Sequence, residues 1–150
     1  MILPKDYKEF IALLNGRSVR YVLVGAHASA YHGMPRTTSA IDFFVENSPA
    51  NIALLISVLE EFGFPVGSFS ADVFEQDVIQ LGIAPARIDL LNSLSGVTFD
   101  EVAASAAHDE VDGVMLPIIS KDVLIKNRKA TGRLKDIADI HALERVNPNR

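Results

Sequence analysis

The sequence has no cysteine and no long apolar run. Without cysteine, the 150-residue chain cannot form disulfide bonds, zinc sites built on thiolates or a thiol nucleophile, and it suits a reducing compartment. The apolar stretch at residues 52–59 is too short to span a bilayer. The N-terminal MILPKDYKEF lacks the apolar region of a signal peptide. We therefore expect a soluble, cytoplasmic protein with no membrane partner.

Positive charge is also in short supply. The chain carries 14 Lys and Arg against 19 Asp and Glu, a net charge of −5 at pH 7. This balance excludes a general attraction to nucleic acid or anionic membranes, so any polyanion site has to be local. The composition, 49% hydrophobic and 22% charged, is that of a globular chain rather than a disordered one. We expect a single domain over residues 1–150.

Hydrophobic periodicity predicts alternating helices and strands. Helices are predicted over residues 6–15, 26–32, 50–63, 99–106, 121–130 and 133–146. Strands are predicted over residues 20–25, 40–46, 77–83, 86–92 and 113–120. Three of the helices begin after a residue type that caps helix N-termini, namely Ser48, Thr98 and Ser120. The order of elements implies a mixed sheet covered by helices, an α+β or α/β domain.

Two strands each carry one acid in an apolar setting, Asp42 in AIDFFVE and Asp89 in RIDLL. Residues i and i+2 of a strand share a face, so Ala40 and Asp42 point the same way and Ile41 points into the core. Neighbouring strands of this kind can bring two carboxylates to one hard cation such as Mg²⁺. The alternative is that both acids are solvated or paired with Arg36 or Arg87.

Gly25 separates a predicted strand from a predicted helix. A glycine at such a junction lets an anion approach backbone N–H groups, and the start of a helix is electropositive. The alternative is a plain strand-to-helix turn. A strand, a glycine, a helix and then an acid-bearing strand is the more specific combination.

The segment VGAHASAYHGMPRTTSAID, residues 24–42, resembles the signature of the nucleotidyltransferase superfamily that includes DNA polymerase beta. It is most similar to small stand-alone prokaryotic forms, some related to toxin–antitoxin and abortive-infection proteins. Their Gly-Gly or Gly-Ser pair corresponds to Gly25-Ala26, and their Asp-x-Asp and third acid to Ala40-Ile41-Asp42 and Asp89. The segment LIKNRKATGRLKDIADIHAL resembles their C-terminal helices, so the resemblance covers residues 20–143.

The resemblance implies a fold, a reaction and a set of site residues. The fold is a mixed sheet covered by helices, with further helices at the C-terminus. Together with the alternation at both acids, the resemblance implies that the strands with residues 22–24, 42–45 and 87–91 are neighbours, and that Asp42 and Asp89 converge near the helix after Gly25. The reaction is the Mg²⁺-dependent transfer of NMP from an NTP to a hydroxyl on a protein, a tRNA or a small molecule. A homodimer or an antitoxin-type partner is implied as well. The implied residues are Asp42 and Asp89 for metal and catalysis, and Gly25, Ala26, Arg36 and Arg133 for the nucleotide.

Two positions depart from the family pattern. Ala26 keeps the backbone N–H but has no hydroxyl for a phosphate oxygen. Ala40 stands where the first acid of Asp-x-Asp is expected, which leaves a vacated catalytic position. Three carboxylates hold two Mg²⁺ ions in this family, so we expect transfer to be impaired. The alternative is a non-catalytic member that binds a nucleotide or a partner.

Several other polar residues have ordinary structural explanations. His32 is expected to pack or to cap a helix, and His27 either packs or contacts a ligand. Arg36 either holds a phosphate or pairs with Asp42. Asp136 and Asp139 are expected to pair with Arg133 or Lys135, and residues 109–112 (DEVD) to form a solvated turn.

Overall fold

A computed structural model describes residues 1–145, which form a mixed sheet and flanking helices. The strands are Tyr21–Val24 (β1), Ala40–Val45 (β2), Val78–Leu81 (β3), Arg87–Leu91 (β4), Ala107–Val111 (β5) and Val114–Ile118 (β6). The helices are Lys5–Gly16 (α1), Gly25–Tyr31 (α2), Pro49–Phe62 (α3), Phe99–Ser105 (α4), Lys121–Thr131 (α5) and Leu134–Arg145 (α6). The mixed α/β architecture confirms the predicted fold class. None of these helices is both long and apolar enough to cross a membrane.

The six strands form one sheet in the order β3-β4-β2-β1-β6-β5. The pairs β2–β4 and β1–β6 are parallel, whereas β1–β2 and the two edge pairs are antiparallel. The three strands predicted to be neighbours therefore lie side by side, with β2 between β1 and β4.

Both faces of the sheet are covered around β2. Phe43 packs against Phe10 of α1, with ring centroids 5.8 Å apart. Phe44 contacts Phe99 of α4 at 5.3 Å. Because successive strand residues point to opposite faces, these two contacts define two layers. Asp42 shares its face with Phe44, and Ile41 is fully buried on the opposite face, as predicted.

The predicted helix starts are confirmed. The Ser48 hydroxyl accepts a hydrogen bond from the Asn51 N–H, and Thr98 does the same for Glu101. Ser120 caps α5 through the Val123 N–H. These side chains satisfy donors that the first turn of a helix leaves without partners.

Strand β5 corrects one prediction. Residues 109–112 were expected to form a solvated turn, but Ala107–Val111 pairs with β6 in an antiparallel hairpin. The turn itself is Asp112-Gly113, and both residues have positive φ. Asp-Gly between strands is a strong hairpin signal. The charged residues of β5 concealed it, since an edge strand exposes much of its surface.

One further difference concerns a short local element, and one prediction falls partly outside the described residues. A short 3-10 helix at Ala71–Glu75 was not predicted, because five residues are too few for a periodicity. The last helix is described as far as Arg145. Its predicted final residue, Val146, lies outside the described residues.

Asn51 links three elements near the start of β1. The side chain is 3% exposed, and its Oδ1 accepts from the Arg20 N–H at 2.7 Å. Its Nδ2 donates to the carbonyls of Arg20 and Glu46. We predict that Asn51→Leu lowers the free energy of unfolding by about 1–3 kcal/mol in urea titrations, because buried groups lose their partners. Ser57→Ala on the exposed side of α3 should change it by less than about 0.5 kcal/mol. Equal stability of both variants would contradict this role.

Candidate active site

Asp42 and Asp89 lie side by side on the sheet. The parallel register of β2 and β4 pairs Asp42 with Asp89 and Ala40 with Arg87. The two carboxyl groups lie close enough for the negative charge of Asp89 to raise the pKa of Asp42. All four side chains therefore point to one face, and the predicted convergence of the two acids is confirmed.

Gly25 closes against this pair from β1. Val24 is opposite Asp42 in the antiparallel register, and Gly25 follows at φ +70°. A Cβ at position 25 would overlap Asp42 Oδ2 and would lie 2.9 Å from its Cγ. Glycine is required here both for its backbone conformation and for the close approach of the carboxyl group. This steric reason for a glycine was not predicted, and the approach of an anion to the backbone at Gly25 stays a prediction.

The Asp42 carboxyl group is hard to ionise. Burial raises its pKa to about 7, helped by the negative charge of Asp89 and the hydrogen bond with it. The positive charges of Arg87 and Arg128 partly offset this rise. Near neutral pH the protonated and ionised forms of Asp42 are therefore present in comparable amounts.

Asp89 is held by an arginine of its own strand. Asp89 is 8% exposed. Its carboxylate accepts hydrogen bonds from Arg87 Nε at 2.8 Å and from Arg87 Nη2 at 3.1 Å. Such a two-pronged contact is the strong form of an arginine–carboxylate pair. For Asp89, the alternative of pairing with Arg87 is therefore the one observed.

A cationic cleft opens beside the two acids. It has a volume of about 500 Å³. Gly25, Ala26, Asp42 and Asp89 line it together with the loop at residues 36–39. Two acidic side chains, Asp42 and Asp89, border it. The five cationic side chains on its border are Arg36, Arg87, Arg128, Arg133 and Lys135. The structure thus brings every predicted site residue except Ala40 into one lining, and a chain of net negative charge has a local anion-attracting surface.

Buried Asp136 of α6 organises two of these arginines. Its side chain is fully buried and accepts from Arg133 Nε at 2.6 Å. Arg128 Nη1 lies 3.6 Å from the other oxygen. This confirms the predicted pairing of Asp136 with Arg133. The Nε of Arg128 has no hydrogen-bond partner among residues 1–145, and burial lowers the pKa of this arginine.

Arg36 forms an ion pair with Asp139 of α6. The expectation that Asp139 pairs with Arg133 or Lys135 is therefore wrong. The alternative that Arg36 pairs with Asp42 is also wrong. The physical reason is that α6 packs back on α5, which turns Asp139 toward the loop before β2. Such a contact between residues 103 positions apart leaves no local pattern in the sequence.

A second cleft meets the first at Asp42. Its volume is about 600 Å³, and it shares Gly25, Asp42, Arg128 and Arg133 with the cationic cleft. The rest of its lining is mixed, with apolar Val24, Val78, Leu91 and Leu94 and polar Asp77, Ser93, Ser95 and Asn127. Sequence reasoning missed the residues after β4 because a polar loop has no periodicity that marks it as a wall.

The two histidines of the segment pack within the fold. His32 Nε2 lies 2.7 Å from the Ile119 carbonyl oxygen, as expected for a packing residue. His27 contacts the ring of Tyr7 edge-on at 5.8 Å, and burial lowers its pKa. The Tyr7 hydroxyl donates to the carbonyls of Pro85 and Arg87, which positions the start of β4. Tyr7 lies in the helix predicted over residues 6–15, but nothing local in the sequence marks its contact with β4.

The acids present fit one hard cation rather than two. Asp42 and Asp89 offer neighbouring carboxylate oxygens, which are ligands that Mg²⁺ prefers. Within residues 1–145, no group of three or more His, Cys, Asp or Glu side chains is arranged to hold a metal ion. The methyl group of Ala40 lies on the same face of β2 as Asp42 and contributes no ligand.

Comparison with known proteins identifies the family of the chain. A family model described as "Nucleotidyl transferase of unknown function (DUF2204)" matches residues 4–150. The chain belongs to this family. The predicted resemblance to the nucleotidyltransferase superfamily is thereby confirmed.

A solved structure of the same fold supports the assignment. The chain is similar to the lincosamide antibiotic adenylyltransferase LnuA with lincomycin bound, with a TM-score of 0.62 and 15% identity. The similarity covers 97% of this chain and 99% of that one. At this identity the comparison shows the shared fold. The search of curated proteins finds no match.

The Gly25 constraint makes a stability prediction. Gly25→Ala should lower the thermal midpoint more than Gly132→Ala, because only position 25 adds an overlap with Asp42 to the strain of positive φ. Gly132 has a similar φ of +67° and open space around it, so the control should cost only the left-handed penalty of ~1–2 kcal/mol. Equal losses for the two variants would show that Asp42 does not press against residue 25.

The raised pKa of Asp42 makes a pH prediction. Between pH of about 4, the usual aspartate value, and about 7, the folded chain binds more protons at this site than the unfolded chain. The stabilising contribution of protonated Asp42 is therefore present at low pH and is lost as the pH rises to about 7. Asp42→Asn keeps a neutral side chain, so its stability relative to wild type should increase over this range in urea titrations. A difference that does not change with pH would contradict the raised pKa, and the surface variant Asp100→Asn should follow wild type.

Proposed function

We propose that this nucleotidyl transferase moves NMP from an NTP to a hydroxyl acceptor and that Ala40 impairs the activity. The acceptor oxygen bonds to the α-phosphorus, and the bond from that phosphorus to the bridging oxygen breaks, which releases pyrophosphate. The observation that carries the proposal is the paired Asp42 and Asp89 at the junction of two clefts. One cleft is cationic and the other is mixed. A transfer reaction needs two substrates to meet at one group, and Asp42 lines both clefts.

The cationic cleft suits the triphosphate. Arg36 and Arg133 lie on its wall and Lys135 at its α6 side. Arg128, whose buried Nε has no hydrogen-bond partner among residues 1–145, lines both clefts. Guanidinium groups bind phosphate oxygens through paired N–H donors. Gly25 and Ala26 carry no bulky side chains on the adjoining wall, so phosphates can approach the backbone there.

Asp42 and Asp89 are the residues that would hold Mg²⁺. Bound there, Mg²⁺ would neutralise phosphate charge and lower the pKa of the attacking hydroxyl. The chain's own contribution is to orient the phosphates through its arginines and to bring the acceptor to Asp42. Asp42 lines both clefts, so its carboxylate is also placed to accept the proton of the acceptor hydroxyl.

The mixed cleft suits the acceptor. Its serines and Asn127 can hydrogen-bond hydroxyl groups, and its apolar residues can cover a carbon skeleton. A small molecule is one acceptor class, since the similar structure LnuA is a lincosamide antibiotic adenylyltransferase. A protein or a tRNA fits the same chemistry at the open end of the cleft. A homodimer or an antitoxin-type partner could complete that end.

A second function is supported by two observations. Ala40 removes one expected acid, and Arg87 engages both oxygens of Asp89. A chain with these features could bind a nucleotide or a protein partner without transfer. A non-catalytic nucleotide binder would use the same cationic cleft and differ from the first function only in transfer. A partner-binding function requires no nucleotide.

We expect the protein to bind nucleotide even if Ala40 prevents transfer. ATP or another NTP at millimolar concentration with Mg²⁺ should raise the thermal midpoint by an amount that follows RT ln(1 + [L]/Kd). Arg133→Gln should weaken the shift because a phosphate donor is lost. Arg17→Gln, which breaks a surface ion pair with Glu61, should leave it intact. The absence of a shift with all four NTPs would favour the partner-binding function.

Restoring an acid at position 40 should increase transfer. Residue 40 faces the same way as Asp42 and pairs with Arg87, so a carboxylate there would join the acidic face instead of entering the core. We predict that Ala40→Asp transfers more label from α-³²P-NTP than wild type. Asp42→Ala or Asp89→Ala in that background should abolish the gain. Equal inactivity of wild type and Ala40→Asp, without added stabilisation by Mg²⁺, would mean that position 40 is not a vacated ligand.

A further inference from the structure

Arg87 engages the oxygens that a divalent cation would use. Its Nε and Nη2 donate to Oδ1 and Oδ2 of Asp89, at 2.8 and 3.1 Å. A cation bound by Asp42 and Asp89 would therefore lie within a few ångströms of a guanidinium charge. Repulsion at that distance is strong in a partly buried site. The guanidinium and the cation compete for the same carboxylate.

The register explains why Arg87 has this partner. Arg87 is opposite Ala40, and Asp89 is opposite Asp42. The side chains at these four paired positions are thus two acids, one arginine and one methyl group. With no acid at position 40, the guanidinium reaches along its own strand to Asp89. Its charge also acts on Asp42.

Arg87 is able to leave this position. Its backbone is held by the Tyr7 hydroxyl at 3.0 Å, but its side chain is 28% exposed and also lines the cationic cleft. A phosphate in that cleft would offer the guanidinium another pair of acceptor oxygens. Asp89 would then be free for a cation.

We infer that Arg87 blocks the cation site until a phosphate-bearing ligand draws its guanidinium away. Arg87 is a positioning residue that couples nucleotide binding to cation binding. The coupling is reciprocal, because whatever one ligand does to the affinity of the other applies in both directions. The inference rests on the proposed function for the location of the cation, and it concerns binding rather than transfer.

The test is Mn²⁺ binding to the nucleotide-free protein, measured as loss of the free-ion electron paramagnetic resonance signal. Arg87→Gln should bind Mn²⁺ about tenfold or more tightly than wild type, because the competing charge is gone. Arg87→Lys keeps the charge but loses the paired donors, so its affinity should lie between the two. Asp42→Asn in the Arg87→Gln background should abolish the gain.

Lys135→Gln is the matched control. Lys135 lines the same cleft, and no hydrogen bond or ion pair in the described part of the chain joins it to either carboxylate. Removing this charge should change Mn²⁺ affinity by no more than about twofold. An equal gain in Mn²⁺ affinity in Lys135→Gln would show that removing any positive charge from the cleft has this effect. That result would overturn the inference. Unchanged or weaker binding in Arg87→Gln would also overturn it.

The outcome is independent of catalysis. Tighter Mn²⁺ binding in Arg87→Gln supports the inference even if no transfer is ever detected. Transfer by wild type together with unchanged Mn²⁺ binding overturns it and leaves the proposed function standing. If Arg87→Gln does not fold, as judged by circular dichroism, the comparison of Arg87→Lys with wild type decides. Affinity for Arg87→Lys no higher than for wild type would then count against it.

Discussion

The parallel register between β2 and β4 is the constraint on which the site depends. It pairs Asp42 with Asp89 and so places two carboxyl groups on one face in a partly buried setting. A slip of one residue would turn Asp89 to the face that α1 covers, since alternate strand residues point to opposite faces. Gly25 adds a second constraint, because only a residue without a side chain admits Asp42 beside β1. The raised pKa of Asp42 is a consequence of both.

The cationic wall depends on acids distant in sequence. Asp136 is fully buried between Arg128 and Arg133, and Asp139 holds Arg36. Breaking a buried ion pair leaves an uncompensated charge, so these contacts restrict where the arginines can point. Helix α6 thus positions cations beside the cleft, although the chain as a whole carries a net charge of −5. Local arrangement, not composition, makes the anion-attracting surface.

Much of the fold and part of the site follow from sequence patterns. The alternation around Asp42 and Asp89 predicted their shared face, and Ser48, Thr98 and Ser120 predicted three helix starts. Strand β5 was missed because edge-strand charges concealed an Asp-Gly hairpin. The Arg36–Asp139 pair and the contact of Tyr7 with β4 were missed for another reason. They join residues far apart in the chain, and no local period or spacing encodes such partners.

The central claim is that a nucleotide and a cation meet at Asp42 and Asp89. Crystals grown with ATP and Mn²⁺ test it most directly, since anomalous scattering locates the metal without assumptions about the protein. The account predicts a Mn²⁺ peak within ligand distance of both carboxylates, phosphates against Arg36 and Arg133, and Arg87 turned away from Asp89. Nucleotide and Mn²⁺ bound elsewhere, with Arg87 still on Asp89, would contradict it.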